Sequence, residues 1–581
     1  MLGNEAVAQG AYEAGAAVAS SYPGTPSTEI TEALARYTGI YSEWAPNEKV
    51  AVETAIGASV AGGRAFSAMK HVGLNVAADP LFTVSYTGVN AGLVICVADD
   101  QGMHSSQNEQ DSRHYARAAK VPMLEPSDSE ECRVFTKKAY ELSEEYDTPV
   151  LLRLSTRVSH SRSLVSGGGA ERTAVAIKPY VKNPGKYVMM PAMARGRHVF
   201  VEERTRRLRG YSELNTVTYS EDRKIGIISS GIAYQYAREA LGDGASYLKL
   251  GMVWPLPDDL LREFAANVEE CVVIEELDPF IEEHCKSLGI PVKGKDMFSP
   301  LGEYSANAIE KALLGGRDAA LSARPPGTHT QAAMPSRPPV LCPGCPHKGV
   351  FYAIKRLGLA VCGDIGCYTL GALPPIQAMD TCVCMGASIG MAHGMGKVRK
   401  DLKTVAVIGD STFLHSGVTG LINVTYNKGA ATVIILDNSI TGMTGHQQNP
   451  ATGTTLMGEK VPPVDLQKLC EAIGVRRVFV ADPFDPDAMT KAIKRETEAA
   501  DEPSVIIARR PCALLPVFKP SKGQRITDKC KGCGMCLKIG CPAISKTGGQ
   551  NGVDLMAIDP QICVGCGFCQ KVCKFGAISA L

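Results

Sequence analysis

Apolar positions follow two alternating patterns along this chain. The runs at residues 94–97, 149–152, 404–408 and 431–436 are short and continuous, as expected of strands covered on both faces. Between such runs, apolar residues recur at helical spacing. Val418, Leu421, Ile422 and Val424 mark one face of a helix predicted over residues 416–427, with Gly429 as its stop signal. Strand, turn, helix and strand in this order predict an α/β protein with parallel sheets. The turns after two of these strands are polar: Gly409-Asp410-Ser411 follows the first and Asp437-Asn438 the second. Open parallel sheets bind ligands at that edge.

The same patterns divide the chain. Residues 1–160 read as one α/β domain rich in Ala, Gly and Val. Residues 161–222 turn basic and irregular (RTRRLR at 204–209) and read as a linker or extension. Apolar runs at 224–229, 252–256 and 271–275 predict a smaller α/β domain over 223–315. Residues 316–340 are Pro-rich, a linker composition. A third α/β domain follows over 341–520, and a Cys-rich tail over 521–581.

Composition narrows the function. With 61 basic and 60 acidic residues, nothing points to nucleic acid or an acidic membrane surface. No apolar run approaches the roughly 18 residues of a membrane span, and the N-terminal stretch lacks the basic start of a secretory signal. The expectation is a cytoplasmic protein. Twenty cysteines exceed what packing needs, and eight crowd into residues 530–573. In a reducing compartment that clustering indicates metal rather than disulfides.

Five groups of residues carry candidate chemistry. Asp410 offers a carboxylate and Asn438 a neutral carbonyl at one sheet edge, a donor set suited to a magnesium ion that also holds phosphate. Small neighbours, Gly409 and Ser411, leave room for a diphosphate against a helix N-terminus. Near the start, the turn at residues 22–27 (YPGTPS) leads into a helix capped by Ser27 or Thr28, with Glu29 in its first turn. Glu48 heads an Ala-rich helix, and Glu53 on that helix competes for any buried-carboxylate role. The polar loop at residues 99–113 leaves a strand end and carries His104 and Arg113, cations that would meet a carboxylate or diphosphate. Finally, Cys342-x-x-Cys345 suits zinc, a redox dithiol or an iron–sulfur site. Cys367 and Cys512 would complete a four-thiolate set, with Cys382 and Cys384 as alternatives.

The tail is the most specific signal. Cys530, Cys533, Cys536 and Cys541 form one run, and Cys563, Cys566, Cys569 and Cys573 a second. This resembles a bacterial two-cluster ferredoxin, in which the fourth Cys of each run serves the other cluster. That pattern implies one [4Fe–4S] cluster on Cys530, Cys533, Cys536 and Cys573, and another on Cys541, Cys563, Cys566 and Cys569.

Residues 409–438 resemble the thiamine diphosphate motif, with Ser411 and Asp437 as departures that spare both candidate ligands. The resemblance makes Asp410, Asn438 and the Ile440 carbonyl the magnesium ligands. It makes Glu48 the carboxyl group that hydrogen-bonds the aminopyrimidine ring. With YPGTPST, HSSQNEQDSR, LCPGCPHKG, GDSTFLHSG and LDNSITGMTGHQ, the whole chain resembles the thiamine diphosphate-dependent 2-oxoacid:ferredoxin oxidoreductases. This implies a multidomain α/β fold with pyrimidine and diphosphate domains, a transketolase C-terminal-like domain and an α+β ferredoxin domain. It implies thiamine diphosphate, magnesium, two [4Fe–4S] clusters and a third on Cys342, Cys345, Cys367 and Cys512. The implied reaction joins an aryl 2-oxo acid, such as indolepyruvate, to coenzyme A, releasing carbon dioxide and reducing ferredoxin. A smaller beta subunit in an α2β2-like assembly is implied, with Thr25, Arg113 and His415 at the substrate and His446 a further candidate. The same motifs suit pyruvate or a branched-chain acid, and a reading of another class is an electron-transfer subunit with a non-catalytic thiamine site.

Overall fold

The computed structural model describes residues 1–166, 171–315, 339–399, 401–499, 501–548 and 554–581. The chain divides into two units, Met1–Thr328 and His329–Leu581. The Pro-rich linker expected over 316–340 lies outside the described residues except for its last two positions.

The first unit holds two sheets. The larger has seven strands in the order Met252–Trp254, Met123–Leu124, Val150–Ser155, Leu93–Asp99, Ala65–Lys70, Val18–Ser21 and Tyr41–Trp44. All its pairings are parallel except the first. The continuous apolar runs lie where both faces are covered: Leu93–Asp99 and Val150–Ser155 are buried along their whole length. Strand Met252–Trp254 differs from expectation, since it leaves the second α/β domain and closes the edge of the first sheet antiparallel to Met123–Leu124. The chain steps across Gly251, where a side chain would strike the Leu214 carbonyl, and the Glu125 N–H donates to the Gly251 carbonyl at 2.8 Å. An otherwise open sheet edge is thereby paired. The smaller sheet runs Val292–Lys293, Glu270–Ile274, Ile225–Ser230, Ser246–Leu250 and Thr216–Thr218, with the last strand antiparallel.

The basic stretch read as a linker contains an 18-residue helix, Pro191–Leu208. Its apolar stripe is thin, so periodicity conceals it. What holds it is cationic: the buried Arg204 donates to the carbonyls of Asp147, Ser85 and Lys120, and Arg197 pairs with the Asp147 carboxylate at 2.9 Å. These acceptors occupy both terminal nitrogens of Arg204 and offset much of the cost of burying its guanidinium.

The second unit is built on a parallel sheet ordered Ala360–Cys362, Thr404–Gly409, Thr432–Asp437, Ser504–Arg509 and Arg477–Ala481, with an apolar core on each face. The tail forms two small antiparallel pairs, Gln524–Ile526 with Ile578–Ala580 and Ile544–Thr547 with Leu555–Ile558. It docks through Phe568, which stacks on Phe484 at 4.9 Å and meets Tyr352 edge-on at 6.0 Å.

Candidate active site

In the second unit, register brings the two polar turns together. Gly409 pairs with Leu436 across adjacent strands, so Asp410 and Asn438 leave the same sheet edge. Gly409 is required there, because a side chain would lie 2.8 Å from the Tyr368 ring. The helix begins at Asp410 itself, six residues earlier than periodicity predicts, and passes through a π turn, Phe413–Gly417, into Val418–Tyr426. Such turns interrupt the helical spacing that the sequence pattern relies on. Ile422, assigned to the apolar face, is exposed, whereas Leu421 and Val424 are buried.

Asp410 is 2% exposed. Its Oδ1 accepts from the Ser411 N–H at 2.7 Å, while Oδ2 has no hydrogen-bond partner. Burial, and next the Asp437 charge, push this carboxyl up to about 7. A buried carboxylate with an idle oxygen is costly unless a cation completes it, so the site fits a magnesium-bound diphosphate. Asp437, which stands at a departure from the thiamine motif, is occupied by Arg509 at 2.7 Å and by the Ser439 N–H. Asn438 and Ile440 are buried beside it. His415 is buried with Nδ1 against the Ser416 hydroxyl at 2.6 Å, and His446 adopts a positive φ of 70° in the following turn.

The four early cysteines gather behind this shelf. Cys345 and Cys367 are raised chiefly by burial, and Cys342 acts electrostatically on both. Cys512 is raised chiefly by burial and further by Cys342 and Asp410, and its N–H donates to the Asn438 carbonyl at 2.9 Å. A side chain at Gly442 would lie 3.4 Å from the Cys367 Sγ. Cys382 and Cys384 form a separate pair beside Asp364.

In the tail, Cys541, Cys563, Cys566 and Cys569 line one cavity of about 440 Å³. Cys530, Cys533, Cys536 and Cys573 line another of about 340 Å³. Cys536 acts electrostatically on Cys569, joining the two sets. Cys345 borders the first cavity, and a side chain at Gly344 (φ 74°) would meet Val564 at 2.8 Å. The three sets therefore adjoin in order: the four early cysteines, then the Cys566 set, then the Cys533 set. Four thiolates around one hollow fit a [4Fe–4S] cluster.

In the first unit, Glu48 opens helix Glu48–Val60 after the Asn47 cap, buried at 5% exposure against Gly73. Glu53 is exposed and ion-paired with Lys49. Thr25 is half-buried in its turn. Ser27 does not cap the next helix by its side chain; its hydroxyl donates to the Gly24 carbonyl at 2.8 Å, and Glu29 is engaged by Asn4.

Arg113 is not at an open edge. It is 1% exposed, bonded to the Asp111 carboxylate, to Glu275 and to the carbonyls of Glu276 and Asp278. Its guanidinium faces protein rather than an open sheet edge. His104 is exposed and paired with Glu303 at 3.0 Å. The cation near Glu48 is Lys70, which sequence reasoning missed. Its stem packs on Gly24 and its Nζ donates to the Ser105 carbonyl at 2.6 Å. Burial lowers its ammonium to about 8, against the opposing pull of Asp100 and Glu48. Its only sequence signal is position, as the last residue of strand Ala65–Lys70.

Residues 9–207 match the model for the pyruvate flavodoxin/ferredoxin oxidoreductase thiamine diphosphate-binding domain. Residues 364–508 match the C-terminal binding domain of thiamine pyrophosphate enzymes, and 555–578 a 4Fe-4S binding domain. The indolepyruvate oxidoreductase subunit IorA of Archaeoglobus fulgidus is 40% identical, over 100% of this chain and 97% of its own length. The subunit of the same name from Methanothermobacter marburgensis is 41% identical, over 100% and 96%. A solved 2-oxoglutarate:ferredoxin oxidoreductase from Magnetococcus marinus aligns with 54% of this chain and 64% of its own at 18% identity, with a TM-score of 0.47. Among the described residues no helix is long and apolar enough to cross a membrane. The chain belongs to the IorA family of indolepyruvate oxidoreductase subunits, thiamine diphosphate-dependent 2-oxoacid:ferredoxin oxidoreductases that bind [4Fe–4S] clusters.

Proposed function

We propose that this chain catalyses the oxidative decarboxylation of aryl 2-oxo acids, with indolepyruvate and coenzyme A giving indoleacetyl-CoA, carbon dioxide and two reduced ferredoxins. The observation that carries the reading is the idle, buried Asp410 Oδ2 one shell away from a line of three cysteine sets. The names of its relatives support the aryl substrate. Bound thiamine diphosphate supplies an electron sink at which a 2-oxo acid can lose carbon dioxide.

The chain's own residues divide the remaining work. Asp410, Asn438 and the Ile440 carbonyl hold magnesium, and Ser411 lies against the diphosphate. Glu48 hydrogen-bonds the aminopyrimidine and fixes its proton. Lys70, packed on Gly24, and the neighbouring Thr25 hydroxyl hold the substrate carboxylate. A partly desolvated ammonium binds a carboxylate more strongly than one in water. Cys342, Cys345, Cys367 and Cys512 hold the cluster nearest the chemistry, and the two tail sets lead electrons outward to a soluble ferredoxin. A smaller beta subunit completes the enzyme.

Anaerobic, indolepyruvate-dependent reduction of ferredoxin by the reconstituted enzyme tests the proposal. The rate should depend on coenzyme A and exceed the rate with pyruvate. Equal or faster turnover of pyruvate would overturn the substrate assignment, and no thiamine diphosphate in the purified protein would overturn the catalytic role.

A further inference from the structure

Lys348 follows the C-P-G-C-P-H motif directly and has no part in the chemistry so far. It is 3% exposed, near the start of helix His347–Leu357, and its Nζ has no hydrogen-bond partner. An ammonium so placed is costly unless an anion stands close by. The side chain borders the 440 Å³ cavity that Cys541, Cys563, Cys566 and Cys569 line, and Cys345 borders the same cavity. Cys345 belongs to the early set and Cys566 to the tail set, so Lys348 stands at the wall that the two sets share.

We propose that Lys348 is the buried counter-charge of the middle cluster and sets its potential. A [4Fe–4S] core with four thiolates is an anion in both oxidation states and gains one negative charge on reduction. A fixed positive charge at its wall favours the reduced form, and net charge and burial are the levers by which a protein moves such potentials. Each transfer moves one electron from the inner cluster to the middle one and then to the outer one, with no bond made or broken. Lys348 thereby raises the central step of the relay and draws electrons away from the inner cluster. The inference rests on the proposed cysteine ligand sets.

The test is an EPR-monitored redox titration of the anaerobically purified enzyme, with iron determination, for wild type, Lys348→Met, Lys348→Arg and Cys566→Ser. Lys348→Met should carry full iron and shift one midpoint potential to more negative values, while Lys348→Arg stays near wild type. Unmoved midpoints in Lys348→Met at full iron would overturn the proposal. If Lys348→Met loses iron, Lys348→Arg decides: full iron and a native midpoint support the counter-charge, whereas loss in both variants overturns it in favour of packing alone. Cys566→Ser separates the two levels. A variant that retains every cluster signal sinks the ligand assignment and the counter-charge together. One cluster lost there, with Lys348→Met unmoved, sinks only the counter-charge.

Discussion

Single side chains divide here by whether their partners are near in sequence. Glu48 sits one residue after its cap, in a helix start legible from the sequence, and its burial isolates it from Glu53, which Lys49 holds in solvent. Glu48→Gln keeps the shape but cannot take up and return the ring proton. It should abolish ferredoxin reduction while leaving the iron EPR signal intact, and surviving turnover would remove the assignment. Lys70 was not legible, because its stem rests on Gly24 and its ammonium on Ser105, contacts that exist only once the sheet has formed. A charge-assisted hydrogen bond is worth about 1.5–3 kcal/mol, roughly ten- to a hundredfold in binding. Lys70→Met should raise KM for the 2-oxo acid by about that factor at unchanged thiamine diphosphate and iron content. An unchanged KM would return the carboxylate to another cation.

Elements are where sequence pattern and structure part. The apolar runs marked the central strands because burial on both faces leaves no alternation. Helix Pro191–Leu208 escaped because its anchors are arginines. Arg113 looked available because its partner Glu275 lies 162 residues away, on the second sheet. The buried network of Asp99, Asp111, Arg113, Glu125, Arg153 and Glu275 ties the two sheets of the first unit together. Breaking a buried ion pair from one side costs about 3–5 kcal/mol. Arg113→Ala should therefore lower the unfolding temperature of the purified chain, and a normal melting curve with only a raised KM would restore Arg113 to the substrate. Glu276 adds a pH dependence at the same junction. It accepts from the Tyr304 N–H at 2.8 Å, and burial lifts its carboxyl to about 7 from an ordinary 4.5. Between those values the folded chain keeps a proton that the unfolded chain releases. Stability from this group therefore falls as pH rises from 4.5 to 7, by about 3 kcal/mol at most. Glu276→Gln keeps the acceptor without the charge and should melt higher than wild type at pH 8, with the difference vanishing near pH 4.5.

At the scale of the whole molecule the decisive quantity is the number of clusters. The grouping of the tail cysteines was legible because two-residue spacings within each run bring three of the four members of each set together locally. The early set was left open, since Cys342 and Cys345 share one turn while Cys367 and Cys512 lie in two others, and Cys382 and Cys384 compete on spacing alone. The fold separates the two groups: the first four influence one another beside Asp410, whereas Cys382 and Cys384 pair next to Asp364. A chain with three clusters carries about twelve irons, four to each. Cys342→Ser should lower this to about eight and remove one EPR signal. Electrons would then lose the station nearest the diphosphate shelf, so ferredoxin reduction should collapse while chemical reduction of the tail by dithionite persists. Cys382→Ser should leave iron unchanged. About eight irons in the wild type, with Cys342→Ser losing none, would leave the tail pair as the only clusters, and the inner thiols would then have to be explained as packing beneath the cofactor shelf.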